Sequence, residues 1–330
     1  MKKTLLLLLT AFITLSCQHK ELSDDDFCGT GDNAIKVVVH WDDPATQARS
    51  MRINLFSATP GVADYGRDDV PAAGVKQIYL ESNAAYRPYC YDYNASNIYF
   101  RNEQNGETIE AYFSGASRAT YDNYVTKAPY ESTYSAPSGG EFYIHAWTTS
   151  FEVIANSPVE QTIDFYPRNV LRQFTYRVNN IIGQGNIKDI RGAASGMAAT
   201  FVFHTNSPSD TRSTMLFGNV KKGYDAEKKC GYLEGEFYTF APVAPYENWF
   251  TMEIYSMANK YHNASWNVSN QVGESMADRA AKLARDGYDI LIWNDPEGEG
   301  IEEIDPGEGG SGGGFDIGVG EWGDEVIIEL

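Results

Sequence analysis

The sequence predicts an all-β protein that folds as two tandem immunoglobulin-like β-sandwich domains, with one short helix in the second. The first observation is composition, because 22 Tyr, 16 Phe and 6 Trp among 330 residues favour strands. The second is a series of short alternating segments separated by Gly, Asn, Ser and Pro, which is typical of sandwiches. The third is length, since a mature body of about 310 residues suggests two domains of roughly 150.

Residues 1–17 predict export and lipid attachment. They read MKKTLLLLLTAFITLSC, with two lysines ahead of an apolar run too short to cross ~30 Å of hydrocarbon. The run ends at Cys17 as in a bacterial lipobox, although Thr14 stands where that box usually has Leu. Cys17 is therefore the predicted lipidation site, and residues 18–34 form a polar tether. An ordinary secretory signal that ends at a chance cysteine is the alternative.

The charge of the chain limits its partners. The formal net charge is −19 at pH 7, from 26 basic and 45 acidic residues. A protein this acidic is repelled by nucleic acid and by anionic membrane surfaces. The balance fits a protein displayed outside the cell.

The N-terminal sandwich is predicted over residues 35–166. Its strands are expected at 35–41, 51–57, 75–80, 86–93, 96–101, 107–114, 141–148 and 159–166. A Tyr-rich loop at 121–140 interrupts the series.

The C-terminal sandwich is predicted over residues 167–295, because the pattern restarts after Pro167. A long strand is expected at 168–179, and further strands at 198–204, 214–220, 231–240, 249–257 and 288–293. Residues 275–285 predict a helix, with Gly287 as its C-cap.

The tail at 296–330 is predicted to be an acidic and Gly-rich linker followed by a strand. The stretch GEGGSGGG at 307–314 has the composition of a flexible leash. Beyond it, apolar residues occupy alternate positions in two stretches, with Ile327 out of phase in the second: Phe315, Ile317 and Val319, then Val326, Ile328 and Leu330. Such a segment is a candidate donor strand for a neighbouring subunit, and folding back onto its own domain or remaining disordered are the alternatives.

Three cysteines remain if Cys17 carries lipid. There is no CxxC pair, which argues against a zinc ribbon or a thioredoxin-type centre. A disulfide between Cys28 and Cys90 is one interpretation, and free buried thiols at Cys28, Cys90 and Cys230 are the other.

We find no catalytic or metal-binding pattern and predict a non-enzymatic protein without cofactors. The sequence has no HExxH, no GxSxG elbow, no P-loop and no complete dinucleotide fingerprint. Its histidines are isolated and are interpreted as core or edge residues: His19, His40, His145, His204 and His262.

The aromatic content also suggests a sugar-binding face. Tyr and Trp rings stack on glycans, and the Tyr-rich loop offers Tyr121, Tyr124, Tyr130 and Tyr134. Ordinary packing of these rings against the sandwich is the alternative interpretation.

Several segments resemble one known family in the order in which they occur. They are IKVVVHWD (35–42), RINLF (52–56), RNVLRQFTYRVN (168–179) and NIKDIRGAASGMAATF (186–201). Behind a lipobox they resemble the fimbrillin-like lipoproteins of Bacteroidetes, which build type V pili. The terminal FDIGVGEWGDEVIIEL resembles a related group of unknown function.

This resemblance implies two transthyretin-like β-sandwiches and a role as stalk, anchor or tip of a pilus. Stalk members are usually cleaved after an Arg in the first domain, and the arginines here show no such site, which favours an anchor or accessory subunit. We therefore expect an outer-membrane, lipid-anchored, surface-exposed adhesion protein whose partners are other fimbrial subunits and host or bacterial glycans or proteins. A glycan-binding surface lipoprotein of a polysaccharide-uptake system is the alternative.

Overall fold

The structure is a computed structural model that describes residues 32–41, 48, 50–71, 75–93, 98–117, 128, 130–273 and 275–306. Strands make up most of the regular structure in this part of the chain, and two short helices lie near its end. The predicted all-β class with sandwich domains is confirmed.

The strands before residue 167 follow one another at short intervals. They are β1 (Asp32–Val39), β2 (Ser50–Ser57), β3 (Gly66–Pro71), β4 (Val75–Glu81), β5 (Ala85–Tyr91), β6 (Ile98–Arg101), β7 (Glu110–Phe113), β8 (Ser132–Ser135), β9 (His145–Thr148), β10 (Phe151–Glu152) and β11 (Gln161–Phe165).

The second half contains longer strands and both helices. Its elements are β12 (Arg168–Asn169), β13 (Arg172–Ile181), β14 (Ile187–Ala198), β15 (Thr200–Val202), β16 (Ser207–Pro208), β17 (Arg212–Phe217), β18 (Lys221–Asp225), β19 (Cys230–Thr239), β20 (Trp249–Ser256), β21 (Tyr261–Asn267), α1 (Ser269–Val272), α2 (Met276–Asp286) and β22 (Ile290–Trp293).

Two sheets form the N-terminal sandwich. One has the order β11-β1-β4, and the other has the order β12-β9-β5-β2-β3, with β10 paired to β5. Alternate residues such as Ile35, Val37 and Ile53 point between the sheets, because successive side chains of a strand face opposite sides. We call this cluster the N-terminal core.

Strand β5 is buried on both faces. Tyr86 and Cys90 belong to the N-terminal core, whereas Tyr89 and Tyr91 belong to a second and larger cluster, which we call the C-terminal core. A strand that is covered on both sides has a nearly continuous buried run, as seen here from residue 88 to 91. The two cores are therefore separated by a single sheet.

Two further sheets form the C-terminal sandwich, with orders β18-β19-β13-β22 and β21-β20-β14-β17-β8. Aromatic rings fill its centre. Phe217 and Phe237 stack with centroids 4.6 Å apart, and Tyr176 and Phe250 lie against them. Each such contact contributes about 0.5–1.5 kcal/mol beyond burial of area.

The long strand predicted at 168–179 is broken in the structure into β12 and β13. The side chain of Asn169 accepts hydrogen bonds from the backbone N–H groups of Ile144 and Leu171, each at 3.1 Å. An Asn side chain that satisfies nearby backbone donors competes with the strand ladder, and the chain turns there.

A small fifth sheet, with the order β16-β15-β7-β6, joins the two halves of the chain. Within it, Thr200 faces Tyr112 and Phe201 faces Ala111. The boundary predicted between residues 166 and 167 therefore does not separate the sheets. Whether 35–166 and 167–295 fold as separate units stays a prediction, and the pairing argues for mutual dependence.

Helix α2 confirms the predicted helix at 275–285. The hydroxyl of Ser275 accepts from the Asp278 N–H, and Gly287 ends the helix with φ 77° while its N–H donates to Leu283 O. Arg279 then bonds Asp289 ahead of β22, with Nη2 and Oδ2 3.0 Å apart. These contacts fix the helix against the edge of the C-terminal sandwich.

The start of the predicted linker at residue 296 differs from the structure. Ile301 and Ile304 are each 1% exposed and belong to the C-terminal core. The N–H of Ile304 donates to Ile182 O at 3.0 Å, and Asn186 Nδ2 donates to Ile304 O at 2.7 Å. These two apolar residues lie within the acidic stretch and are buried, so the C-terminal sandwich continues to about residue 304.

Candidate functional site

Strand β8 connects the two halves of the chain at the edge of the second sandwich. It pairs in parallel with β17, and its other side bonds the segment that follows β7. There, Ser135 N donates to Ser114 O at 2.8 Å and Ala116 N donates to Thr133 O at 3.0 Å. We define the joint as β8, Glu131 and the sheet β16-β15-β7-β6.

Glu131 anchors β8 through a buried carboxylate that is 6% exposed as a residue. Its Oε2 accepts from the Gly196 N–H at 3.0 Å and from Thr214 Oγ1 at 2.8 Å. A buried carboxylate is tolerated only with such donors, and charge-assisted bonds are the stronger ones. The contact ties a residue of the first half to β14 and β17.

Gly196 provides its donor from an irregular point of β14. The register with β17 shifts between Ala194 and Met197, and Gly196 has φ +73°. A Cβ there would lie 2.7 Å from Asn248 Nδ2, and that amide group donates to Gly196 O at 3.1 Å. Glycine is therefore required both for the backbone angle and for the space.

Aromatic rings from both halves meet within the joint. Tyr91 lies 4.8 Å from Phe100 and 4.9 Å from Phe203, between ring centroids. Phe113 lies 4.6 Å from Phe240. Phe203 and Phe240 come from the second half of the chain and the other three rings from the first, so the two halves pack against each other here as in a protein core.

A polar network closes the side of the joint next to the first sandwich. The Tyr91 hydroxyl donates to Glu103 Oε1 at 2.6 Å, and Arg67 donates to the other Glu103 oxygen at 2.9 Å. Burial first, and the Glu103 carboxylate second, raise the pKa of the Tyr91 phenol. The Tyr91 ring therefore stays neutral and donates its proton.

Three of the described histidines, His40, His145 and His204, stand beside a single carboxylate or an arginine. His145 Nδ1 lies 2.9 Å from Asp92 Oδ2 in the buried interior, and His40 Nε2 lies 2.7 Å from Asp164 Oδ1 on the surface. Burial raises the pKa of Asp92, and His145 partly opposes this shift. Within the described residues no group of three or more His, Cys, Asp or Glu is placed to hold a metal ion.

The predicted lipidation site and the candidate donor strand lie outside the described residues. So does Cys28, and its predicted disulfide with Cys90 stays a prediction. Among the described residues, Cys90 and Cys230 are buried and are not bonded to each other. Burial, with Asp92 nearby, raises the pKa of Cys90 well above its usual value and makes the thiol unreactive. Over the part of the chain that the structure describes, no helix has the length and apolarity needed to cross a membrane.

The predicted sugar-binding tyrosines are divided between different environments. Tyr121 and Tyr124 lie outside the described residues, Tyr130 is 76% exposed, and Tyr134 packs partly buried in β8 against the C-terminal core. The described pair does not form one aromatic face.

A different pair of aromatic rings lies on the exposed side of the bridging sheet. Tyr99 and Tyr112 have centroids 5.8 Å apart, and the Arg101 guanidinium lies 5.1 Å from the Tyr112 ring centre. Sequence reasoning missed this pair because it depends on β6 lying beside β7. It also missed Glu131, a single acidic residue in a Tyr-rich segment without a pattern of its own.

Comparisons with known proteins agree with this architecture. The model of a family described as Domain of unknown function (DUF5119) matches residues 16–218. No curated protein is significantly similar in sequence. A candidate adhesin from Bacteroides ovatus is 15% identical, with a TM-score of 0.62 over 86% of this chain and 95% of that one.

Two other solved structures are more distant. The fimbrial anchor protein Mfa2 from Porphyromonas gingivalis is 11% identical, with a TM-score of 0.49 over 73% of this chain and 83% of that one. A candidate polysaccharide-binding protein from Bacteroides thetaiotaomicron is 9% identical, with a TM-score of 0.44 over 74% and 85%. The predicted resemblance to fimbrial proteins and to a related group of unknown function is confirmed, and the likeness to the Bacteroides ovatus protein shows the fold.

Proposed function

The chain belongs to the family described as Domain of unknown function (DUF5119), and from this membership and the joint we propose that it is a non-enzymatic surface lipoprotein that anchors or joins fimbriae in adhesion and filament assembly. The matched range, 16–218, runs across the joint rather than stopping at residue 166. The residues of the joint therefore lie within the range that the family model covers.

The joint is the observation that carries the proposal. A filament subunit transmits force between its attachment points, so its domains must not separate under load. Here a strand of the first half is hydrogen-bonded into the second sandwich, and Glu131 locks it from within. An interlocked pair of sandwiches suits this mechanical role better than a pair connected only by a linker.

The proposed attachment to the membrane rests on the lipobox-like sequence that ends at Cys17. Cys17 is proposed to carry the lipid, and the residues after it to place the body on the outer face of the outer membrane. A lipid anchor holds a protein on one side of a membrane without crossing it. The partners proposed are other fimbrial subunits.

Purification of the cross-linked surface complex tests this function. We expect the chain to co-purify with pilin-like lipoproteins from intact cells, and Cys17→Ser to release it from the membrane fraction together with the loss of fatty-acid labelling. A matched control, Cys230→Ser, keeps the lipid site. Co-purification with transporter components and glycoside hydrolases instead would contradict the fimbrial proposal.

The exposed Tyr99–Tyr112 pair favours glycan binding as the second candidate. Two accessible rings beside a guanidinium offer stacking and hydrogen bonds to a sugar. Glycan-array binding that is lost in Tyr99→Ala and kept in Tyr79→Ala, an exposed tyrosine on β4, would support this function.

A further inference from the structure

The outer edge of β21 has backbone groups that no described strand pairs. β21 is antiparallel to β20 and stands last in its sheet. At the turn before it, Ser256 N donates to Lys260 O, so by alternation the N–H and C=O groups of residues 262, 264 and 266 face β20. Those of residues 261, 263, 265 and 267 face outward, and within the described residues none of these four amides donates to another group.

This edge lacks the features that protect exposed strands. Its sequence, YHNASWN, contains no Lys, Arg, Asp, Glu or Pro. Charges, prolines and very short strands are the usual protection against pairing. Seven residues at about 3.4 Å each give an edge roughly 24 Å long.

The other edge on this side of the sandwich is closed. In β22 the Leu291 N–H donates to Gln271 Oε1 at 2.9 Å, and Gln271 Nε2 donates to Leu291 O at 3.3 Å. One amide side chain thus occupies both backbone groups of an outward-facing residue. The outward amides of β21 have no such side-chain partner among the described residues, so this edge can accept a further strand.

The described chain ends beside the start of β21. Lys260 Nζ and Asp305 Oδ2 are 2.8 Å apart, and the Met257 N–H donates to the O of Asn186, whose side chain holds Ile304. Pro306 is therefore next to the β20–β21 turn, and residues 307–330 continue from that place.

Exposed apolar residues surround the same place. Met257 is 56% exposed, Tyr261 55%, Trp293 60% and Ile182 42%. On the inner side of β21 the buried His262 Nε2 has no hydrogen-bond partner among the described residues. A strand added to this edge could bury apolar side chains against these exposed residues.

We propose that residues 315–330 of the same chain add to the open edge of β21 as a strand. The segment has two stretches with apolar residues at alternate positions, 315–319 and 326–330, which differ in phase, and it has acidic residues but no basic residue. The eight residues 307–314 span about 15 Å on average as a flexible coil, which reaches the edge. A tethered segment has an effective concentration of the order of mM, so it binds its own chain before another. The inference does not depend on the proposed function.

Hydrogen exchange of the full chain, compared with a variant lacking 315–330, tests the proposal. With residue-level fragmentation, we expect the outward amides of residues 261, 263, 265 and 267 to exchange about tenfold faster in the deletion variant. The inward amides of 262, 264 and 266 serve as the internal control. Dilution should leave the protection of the full chain unchanged.

Asn263→Pro provides a second variant with Asn263→Ala as its match. Proline removes one outward N–H and leaves the inward ladder to β20 intact, so protection should fall with Pro and persist with Ala. Equal exchange in the full and shortened chains overturns the proposal. Protection that disappears on dilution overturns it too, because the strand would then come from a second copy.

Discussion

Replacing Glu131 by Ala should unlock the joint and lower the stability of the whole molecule. The carboxylate makes two hydrogen bonds, to Gly196 N and Thr214 Oγ1. Bonds to a charged group contribute about 1.5–3 kcal/mol each, and a buried donor left unsatisfied costs a similar amount. We therefore expect the free energy of unfolding to fall by about 3–5 kcal/mol, a large part of the ~5–15 kcal/mol of a typical domain.

Urea unfolding followed by tryptophan fluorescence measures this loss. Glu227→Ala, on an exposed turn, is the matched control and should change stability by less than about 0.5 kcal/mol. Glu131→Gln keeps one acceptor and should fall between the two. A Glu131→Ala variant as stable as the control would refute the argument that this carboxylate locks β8 in place.

Three further predictions concern the titration of Glu253, the separate expression of the two halves, and the packing of residues 301–304. Burial raises the pKa of Glu253 to about 7, so its folded form binds a proton more tightly than its unfolded form, and stability is lost as the pH rises from about 4.5 through 7. Relative to Glu253→Gln, the wild type should lose about 1–2 kcal/mol between pH 5 and 8, allowing for partial solvent screening, and parallel stability curves would contradict this. Residues 32–166 expressed alone should aggregate, because the face of β5 that carries Tyr91 loses its cover, and co-expression with 167–306 should restore a soluble product; a monomeric, folded 32–166 would show that the halves are independent. Ile304→Ala should cost about 2–5 kcal/mol of unfolding free energy and exposed Glu303→Ala almost nothing, and equal effects would mean that residues 301–304 do not pack.

Local features were the part of the fold that could be predicted from sequence. The helix at 275–285 was correct because Ser275 and Gly287 are capping residues whose effect depends only on neighbours in the chain. Strand β1 was found because its alternate residues Ile35, Val37 and Val39 are buried, and β2 because Met51, Ile53 and Leu55 alternate in the same way. In each case the sequence pattern depends on residues close together in the chain, either capping residues or alternate side chains of one strand.

Pairing over long distances could not be predicted in this way. The sequence of β8, STYS, carries no information on its bonding to β17, since a backbone ladder accepts almost any side chain. Glu131 and Gly196 act together only after that pairing forms. The candidate site therefore depends on tertiary structure rather than on a motif.

The acidic composition of the chain after residue 295 led to the prediction that the linker starts at residue 296, whereas the structure packs Ile301 and Ile304 in the core. Residues 295–305 are acidic on average, yet Ile301 and Ile304 are placed against the core by bonds to Ile182 and Asn186. An average over a window cannot distinguish a solvated run from one in which two apolar residues are buried.

Mechanical unfolding of the chain held at residues 32 and 306 tests the central claim, that the joint makes one force-transmitting unit of the two sandwiches. With optical tweezers we predict a single cooperative step that releases the whole described body, an extension of roughly 90 nm from about 275 residues at 3.3–3.6 Å each. Glu131→Ala should lower the force of that step, and Glu227→Ala should leave it unchanged. Two separate steps in the wild-type protein, each of roughly half this length, would contradict the account.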